Sequence, residues 1–171
     1  MKGTKAASRY AKALLELAIE NNMVDQVAAD MKYLAEVSEE TREFKVFLNS
    51  PVVKSDKKIN VLNEIFGQFE ALTRGFVNLV TKNRRVSLLP EIARSFDVQV
   101  KEHKGIVPVT LISAVKLDEE TKGQILSKLN GMVKGELEVT ERIDANLIGG
   151  FVVRMGDTQI DASVSRQFND L

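Results

Sequence analysis

The sequence contains no cysteine and no tryptophan, and only one histidine and three prolines in 171 residues. Without cysteine there is no disulfide framework and no thiolate metal site, so packing alone has to hold the fold. The single histidine, His103, sits in the charged run Lys101-Glu102-His103-Lys104, with no second histidine or cysteine to share a metal or activate a nucleophile. An exposed structural role is expected for it. Excess charge of one sign is also missing: 24 basic side chains meet 24 acidic ones. The chain therefore lacks the positive field from which nucleic-acid binders draw most of their affinity, and no nucleic-acid partner is expected. Long apolar runs are absent too. The stretch from Lys5 to Glu20 carries charges every few residues, which makes it neither a signal peptide nor a membrane span, and no direct membrane insertion is expected.

What is there is a hydrophobic content of 44%, enough for an ordinary core in one medium domain or two small ones. Up to about Lys104 the apolar residues recur at helical spacing. The spacing predicts helices at roughly 5–21, 24–40, 42–49, 56–67, 70–83 and 88–104, with Asn21-Asn22 and Asn49-Ser50-Pro51 as interruptions. Ser55 or Asp56 is expected to cap the fourth helix, and Pro90 with Glu91 suits the first turn of the sixth, where a missing N–H costs little. After Gly105 the pattern changes. Ile106 to Ala114 is rich in β-branched residues and reads as a strand, with Pro108 restricting where it pairs. Asp118 then caps a helix to about Lys134, with Glu119 and Glu120 opposing the positive end of its dipole. Glu136 to Ile143, Phe151 to Met155 and Thr158 to Asp161 read as strands, with Gly156-Asp157 as a turn and Ser163 opening a last helix. The expected fold is mainly α: a six-helix bundle over residues 1–105, followed by a small α+β domain of order β-α-β-β-β-α over residues 106–171.

Chemistry is hard to find in this pattern. Asp118-Glu119-Glu120 is a run of acids whose side chains point in different directions on a helix, and capping explains it. Gly149-Gly150 lacks the lysine and hydroxyl that follow the glycines of a phosphate-binding loop, so a backbone bend is the expected role. Gly75 falls inside the fifth helix, where glycine costs about 1 kcal/mol relative to alanine, and something is expected to pack close to it. The first helix carries the most suggestive signal. Its apolar arc runs from Ala13 through Leu17, Tyr10, Leu14, Ala7, Ala18, Ala11 and Leu15 to Ile19, far wider than the roughly 100° stripe that a surface helix needs. Either this helix is central and buried nearly all round, or part of its surface is a groove for a partner helix.

Three stretches carry a family resemblance. Arg9 to Ala18 (RYAKALLELA) resembles the opening helix of the F-type ATP synthase delta subunit family, which includes the mitochondrial oligomycin-sensitivity-conferring protein. Phe76 to Ile92 (FVNLVTKNRRVSLLPEI) is similar to that family's fifth helix and the turn into its sixth. Leu137 to Asp157 (LEVTERIDANLIGGFVVRMGD) resembles its C-terminal signature, with Asp144, Leu147, Gly149-Gly150 and Arg154 in the expected places, and Asp161-Ala162-Ser163-Val164 continues it. With Ile112 to Ala114, the resemblance runs from about residue 6 to residue 171. Family members usually run a few residues past the equivalent of Leu171, so a slightly shortened C-terminus is expected.

The resemblance implies a non-catalytic stator subunit for proton-driven ATP synthesis, with no cofactor and no metal, held peripherally at the cytoplasmic face of the bacterial inner membrane. It implies that the helical domain grips the N-terminal helices of the alpha subunits and that the C-terminal domain meets the b subunit of the peripheral stalk. It also pairs the first helix with the fifth, which makes Tyr10, Ala13, Leu17, Gly75, Phe76, Leu79 and Asn83 the expected partner-binding residues. The Leu15–Ile19 end of the first helix's arc would then belong to the core. An enzyme would need paired acids or a nucleotide loop, and neither is found; the remaining alternative is a generic helix-binding adaptor unrelated to rotary synthases.

Overall fold

A computed structural model describes residues 2–155 and 158–161. The first part is helical: α1 (Lys2–Glu20), α2 (Val24–Glu40), α3 (Arg42–Asn49), α4 (Ser55–Ile65), α5 (Ala71–Lys82), a 3-10 turn (Val86–Leu88) and α6 (Leu89–His103). The mainly helical first half and its six helices match the sequence reading. Helix ends follow local chemistry. Asn22 takes a left-handed φ of 54°. Its N–H donates to the Ile19 carbonyl and that of Met23 to the Ala18 carbonyl, the paired closure of a Schellman C-terminus. The same closure ends α5, with Arg84 at φ 58°, its N–H on the Thr81 carbonyl and that of Arg85 on the Val80 carbonyl.

One start departs from expectation, and another is capped from a distance. Neither Ser55 nor Asp56 caps α4: the residue before the helix is Lys54, and it makes no side-chain cap bond. The start of α5 is capped from another helix. Oδ2 of Asp30 on α2 accepts from the Glu70 N–H at 2.8 Å and from the Thr73 hydroxyl at 2.7 Å. These bonds join residues 40 and 43 positions apart, beyond the reach of local spacing.

The bundle's core runs along Ala7, Ala11, Leu14 and Ala18 of α1, and includes Val27, Met31 and Leu34 of α2 and Ile92 and Phe96 of α6. An aromatic group fills one part of it. Phe66 and Phe69 stack at 4.5 Å, and Phe44 meets Phe66 edge-on, arrangements that suit the ring quadrupole.

The second part consists of β1 (Ile106–Ser113), α7 (Glu119–Met132), β2 (Glu136–Ile143), β3 (Phe151–Met155) and β4 (Thr158–Asp161). The strands form one mixed sheet in the order β2-β1-β3-β4. β1 pairs with β2 in parallel and with β3 antiparallel. The ladder to β3 begins at Val109, one residue past Pro108, so the missing proline N–H falls outside that pairing. Val109, Leu111 and Val153 pack with Ile125 and Leu129 of α7 in a second, separate core. Asp118 caps α7 as expected, accepting from the Thr121 N–H at 2.7 Å. Hydrogen bonding from Thr121, side chain first and backbone second, holds the Asp118 carboxyl below its ordinary pKa. Lys122 pairs with Glu141 of β2, and this hydrogen-bonded pairing raises the lysine's pKa. The expected turn at Gly156-Asp157 and the helix from Ser163 lie outside the described residues. By its contacts the chain divides into two compact units, Met1–Val100 and Lys101–Leu171. Among the described residues no helix is long and apolar enough to cross a membrane.

Candidate functional site

On α1 the core takes the middle of the broad apolar arc: Ala11, Leu14 and Ala18 are fully buried. Both ends of the arc overhang it. Leu17 is 42% exposed and Ala13 is exposed on one side, while Ile19 is 40% exposed on the other. The expectation that Ile19 belongs to the core is therefore corrected. The reason is rotational: the core is centred on the Ala7-Ala11-Leu14-Ala18 line, so only Leu15 of the far end reaches it.

The free end on α1 meets α5. The Tyr10 and Phe76 rings lie 6.2 Å apart at 74°, edge to face. Nδ2 of Asn83 donates to the Tyr10 hydroxyl at 3.2 Å. Phe76 is buried and Tyr10 half-buried, so these two rings join the helices. Leu79 is 52% exposed, and Gly75 is exposed with no atom within 4 Å of where a Cβ would stand. The close packing expected at Gly75 is thus not supplied by the chain's own described residues; the glycine opens onto empty space. All seven expected residues belong to these two helices and the turn that closes α5.

Two residues escaped the sequence reading. Ala6 lies one turn before Tyr10 and Leu72 one turn before Phe76, both half-buried. They extend the two rows to Ala6, Tyr10, Ala13, Leu17 and Leu72, Phe76, Leu79, Asn83, at spacings of three and four residues that put each row on one helix face. That spacing was the signal available for them. The rows are apolar or small almost throughout, with Asn83 the polar exception.

Other residues singled out in the sequence behave differently. Gly149 and Gly150 have φ of 63° and 70° in the connection between β2 and β3, which suits a bend that residues with a Cβ rarely adopt. His103 is exposed at the end of α6.

Residues 6–171 match the protein family described as ATP synthase delta (OSCP) subunit. This chain belongs to that family. The ATP synthase subunit delta of Christiangramia forsetii is 37% identical over 171 residues, covering 100% of this chain and 93% of that relative. That of Chlorobaculum tepidum is 34% identical over 172 residues, covering 100% of this chain and 95% of the relative. A chain in the cryo-EM structure of the Toxoplasma gondii mitochondrial ATP synthase hexamer superposes with a TM-score of 0.75, covering 96% of this chain and 93% of that one. It is 22% identical, so the likeness is one of fold. As a delta/OSCP subunit, the chain is a non-catalytic stalk subunit of an F-type ATP synthase.

Proposed function

We propose that the α1–α5 face is the grip on the catalytic head: an amphipathic helix from the N-terminus of an alpha subunit lies along it. The observation that carries this reading is the pair of apolar rows left open on either side of the Tyr10–Phe76 contact. Ala13 and Gly75 let a helix backbone approach, the two rings supply aromatic area of the kind that dominates hot spots, and Leu17 and Leu79 gain from leaving water. Each leucine is about half exposed, so full burial contributes on the order of 1 kcal/mol apiece.

The C-terminal unit, residues 106–171 in this reading, meets the b subunit of the peripheral stalk, and the protein works as a stator. Rotor torque would spin the head unless a connector held it, so affinity and rigidity are the function. Its place is peripheral, at the cytoplasmic face of the bacterial inner membrane, within the synthase.

The test is titration of an alpha N-terminal peptide into wild type and Ala13→Asp. The variant is expected to stay folded and to bind at least about tenfold more weakly, because an unpaired carboxylate enters a dry contact. Equal binding by Ala13→Asp removes the groove from this face. Loss of the fold is guarded against by comparing thermal melts of the same samples.

A further inference from the structure

A second concave region on the bundle is lined by residues outside the α1–α5 rows. A cavity of about 650 Å³ is lined by the turn between α3 and α4, the first turn of α4, and Arg84 and Ser87 beyond α5. Its cations are Lys54, Lys58 and Arg84; its one carboxylate is Asp56. Lys58 is the telling residue. It is 7% exposed, and its Nζ donates to the Leu48 carbonyl at 3.0 Å and the Ser50 carbonyl at 2.8 Å. Both acceptors are neutral. An ammonium carries three N–H donors, so one donor of a buried full charge remains without an acceptor among the described residues, on a side chain that lines the cavity. These carbonyls close the C-terminus of α3, where the helix dipole favours a cation, but they bring no full negative charge, and an anion in the cavity would supply one.

Three further observations point the same way. The start of α4 has no side-chain cap, and Lys54, Ser55 and Asp56 at that start line the cavity, so the positive end of the helix dipole lies beside it. Arg84 holds a left-handed φ of 58°, a position that glycine fills with least strain. The arginine there costs backbone strain, and its guanidinium has no acid partner among the described residues. A neighbouring hollow shares Asn49, Ser50 and Pro51 with the cavity and adds Arg42 and Lys45, so the surroundings are basic although the chain as a whole is neutral.

We propose that this cavity binds a phosphate-class anion. Lys58 would donate its third N–H, Arg84 its fork of donors, which matches phosphate oxygens, and Ser55 and Ser87 their hydroxyls. The volume exceeds that of one phosphate, so free phosphate with ordered water and the phosphates of a nucleotide are two sources of the same chemistry. The site shares no residue with the α1–α5 rows, although its Arg84 follows Asn83 directly, and its existence does not depend on what those rows bind.

The experiment uses the full chain at constant ionic strength, with inorganic phosphate or magnesium-free ATP replacing chloride, read by thermal melting and calorimetric titration. Wild type is expected to melt higher in phosphate than in chloride. Arg84→Gly removes a cation and the strain together, so it should melt no lower than wild type in chloride and bind at least tenfold more weakly. Lys54→Gln should weaken binding without the change in backbone strain. Lys12→Gln, the same loss of charge on the exposed side of α1, should bind as wild type does. Tighter binding of ATP than of phosphate assigns the nucleotide as the source, and equal or weaker binding assigns the free ion. No gain over chloride, or equal binding by Arg84→Gly, overturns the proposal. Stabilisation by an acidic peptide with none by phosphate also overturns it, in favour of a protein carboxylate.

Discussion

Asn83, in the turn that closes α5, donates its side-chain amide to the hydroxyl of Tyr10 on α1 across 73 positions of sequence. The Tyr10 ring at the same time meets Phe76 edge-on. One tyrosine thus ties two helices together through a polar tip and an apolar body, and it does so at the line where the two open rows face each other. The two helices that present the rows are therefore joined before any partner arrives, which reduces the ordering that binding would have to offset.

If the α1–α5 face is the grip proposed above, Gly75 should separate folding from binding. Among the described residues, and apart from its chain neighbours and its own helix backbone, nothing stands within 4 Å of a Cβ placed there, so Gly75→Ala should raise the bundle's stability by up to about 1 kcal/mol through helix propensity. Gly75→Leu should melt near wild type yet weaken an alpha N-terminal helix at least about tenfold, because the added bulk occupies the groove. A lower melting temperature for Gly75→Ala would mean that the protein itself needs the space.

The core boundary on α1 is tested by a pair of aspartates. Leu14 is fully buried, and Leu14→Asp should unfold the bundle, since an unpaired carboxylate joins the loss of a core side chain that by itself costs about 2–5 kcal/mol. Ile19 is 40% exposed, so Ile19→Asp should cost well under half as much. Chemical denaturation of both variants checks the order. Equal destabilisation would place Ile19 in the core.

Gly150→Val should destabilise the C-terminal unit by about 1–3 kcal/mol, because a β-branched residue is strained at a φ of 70°. Gly150→Asn, which tolerates the left-handed region, should cost less. Denaturation followed by amide exchange in the β-sheet reads both. If valine and asparagine cost the same, the backbone conformation is not what requires glycine.

Acid should loosen the start of α7. Asp118 is held below its ordinary pKa by Thr121, so its cap is fully formed above the unfolded-state value near 3.8 and is lost as pH falls through the lower folded-state value. Asp118→Asn keeps an N-cap acceptor without the titration. Its melting temperature should therefore fall less steeply than wild type's below pH 4, the window that starts at about the ordinary aspartate pKa. Parallel curves for the two proteins would remove Asp118 from the acid response.

The order of elements was legible in the sequence because each rests on local chemistry. The 3.6-residue spacing of α1 to α6, the change to β-branched residues after Gly105 and the Asp118 cap are decided by neighbours a few positions apart, and the described elements follow them closely. The rows on α1 and α5 were legible in part, since spacing marks a face but not what covers it. Only tertiary structure decided that Ile19 stays in the open while Ala11 and Leu14 carry the core, because that depends on how α1 is rotated against the rest of the bundle. The same holds for Asp30 capping α5 from α2 and for Lys58 of α4 reaching the Leu48 and Ser50 carbonyls beside a cavity. Each of these joins residues whose separation along the chain exceeds any helical or strand period, so packing brings them together and pattern alone cannot.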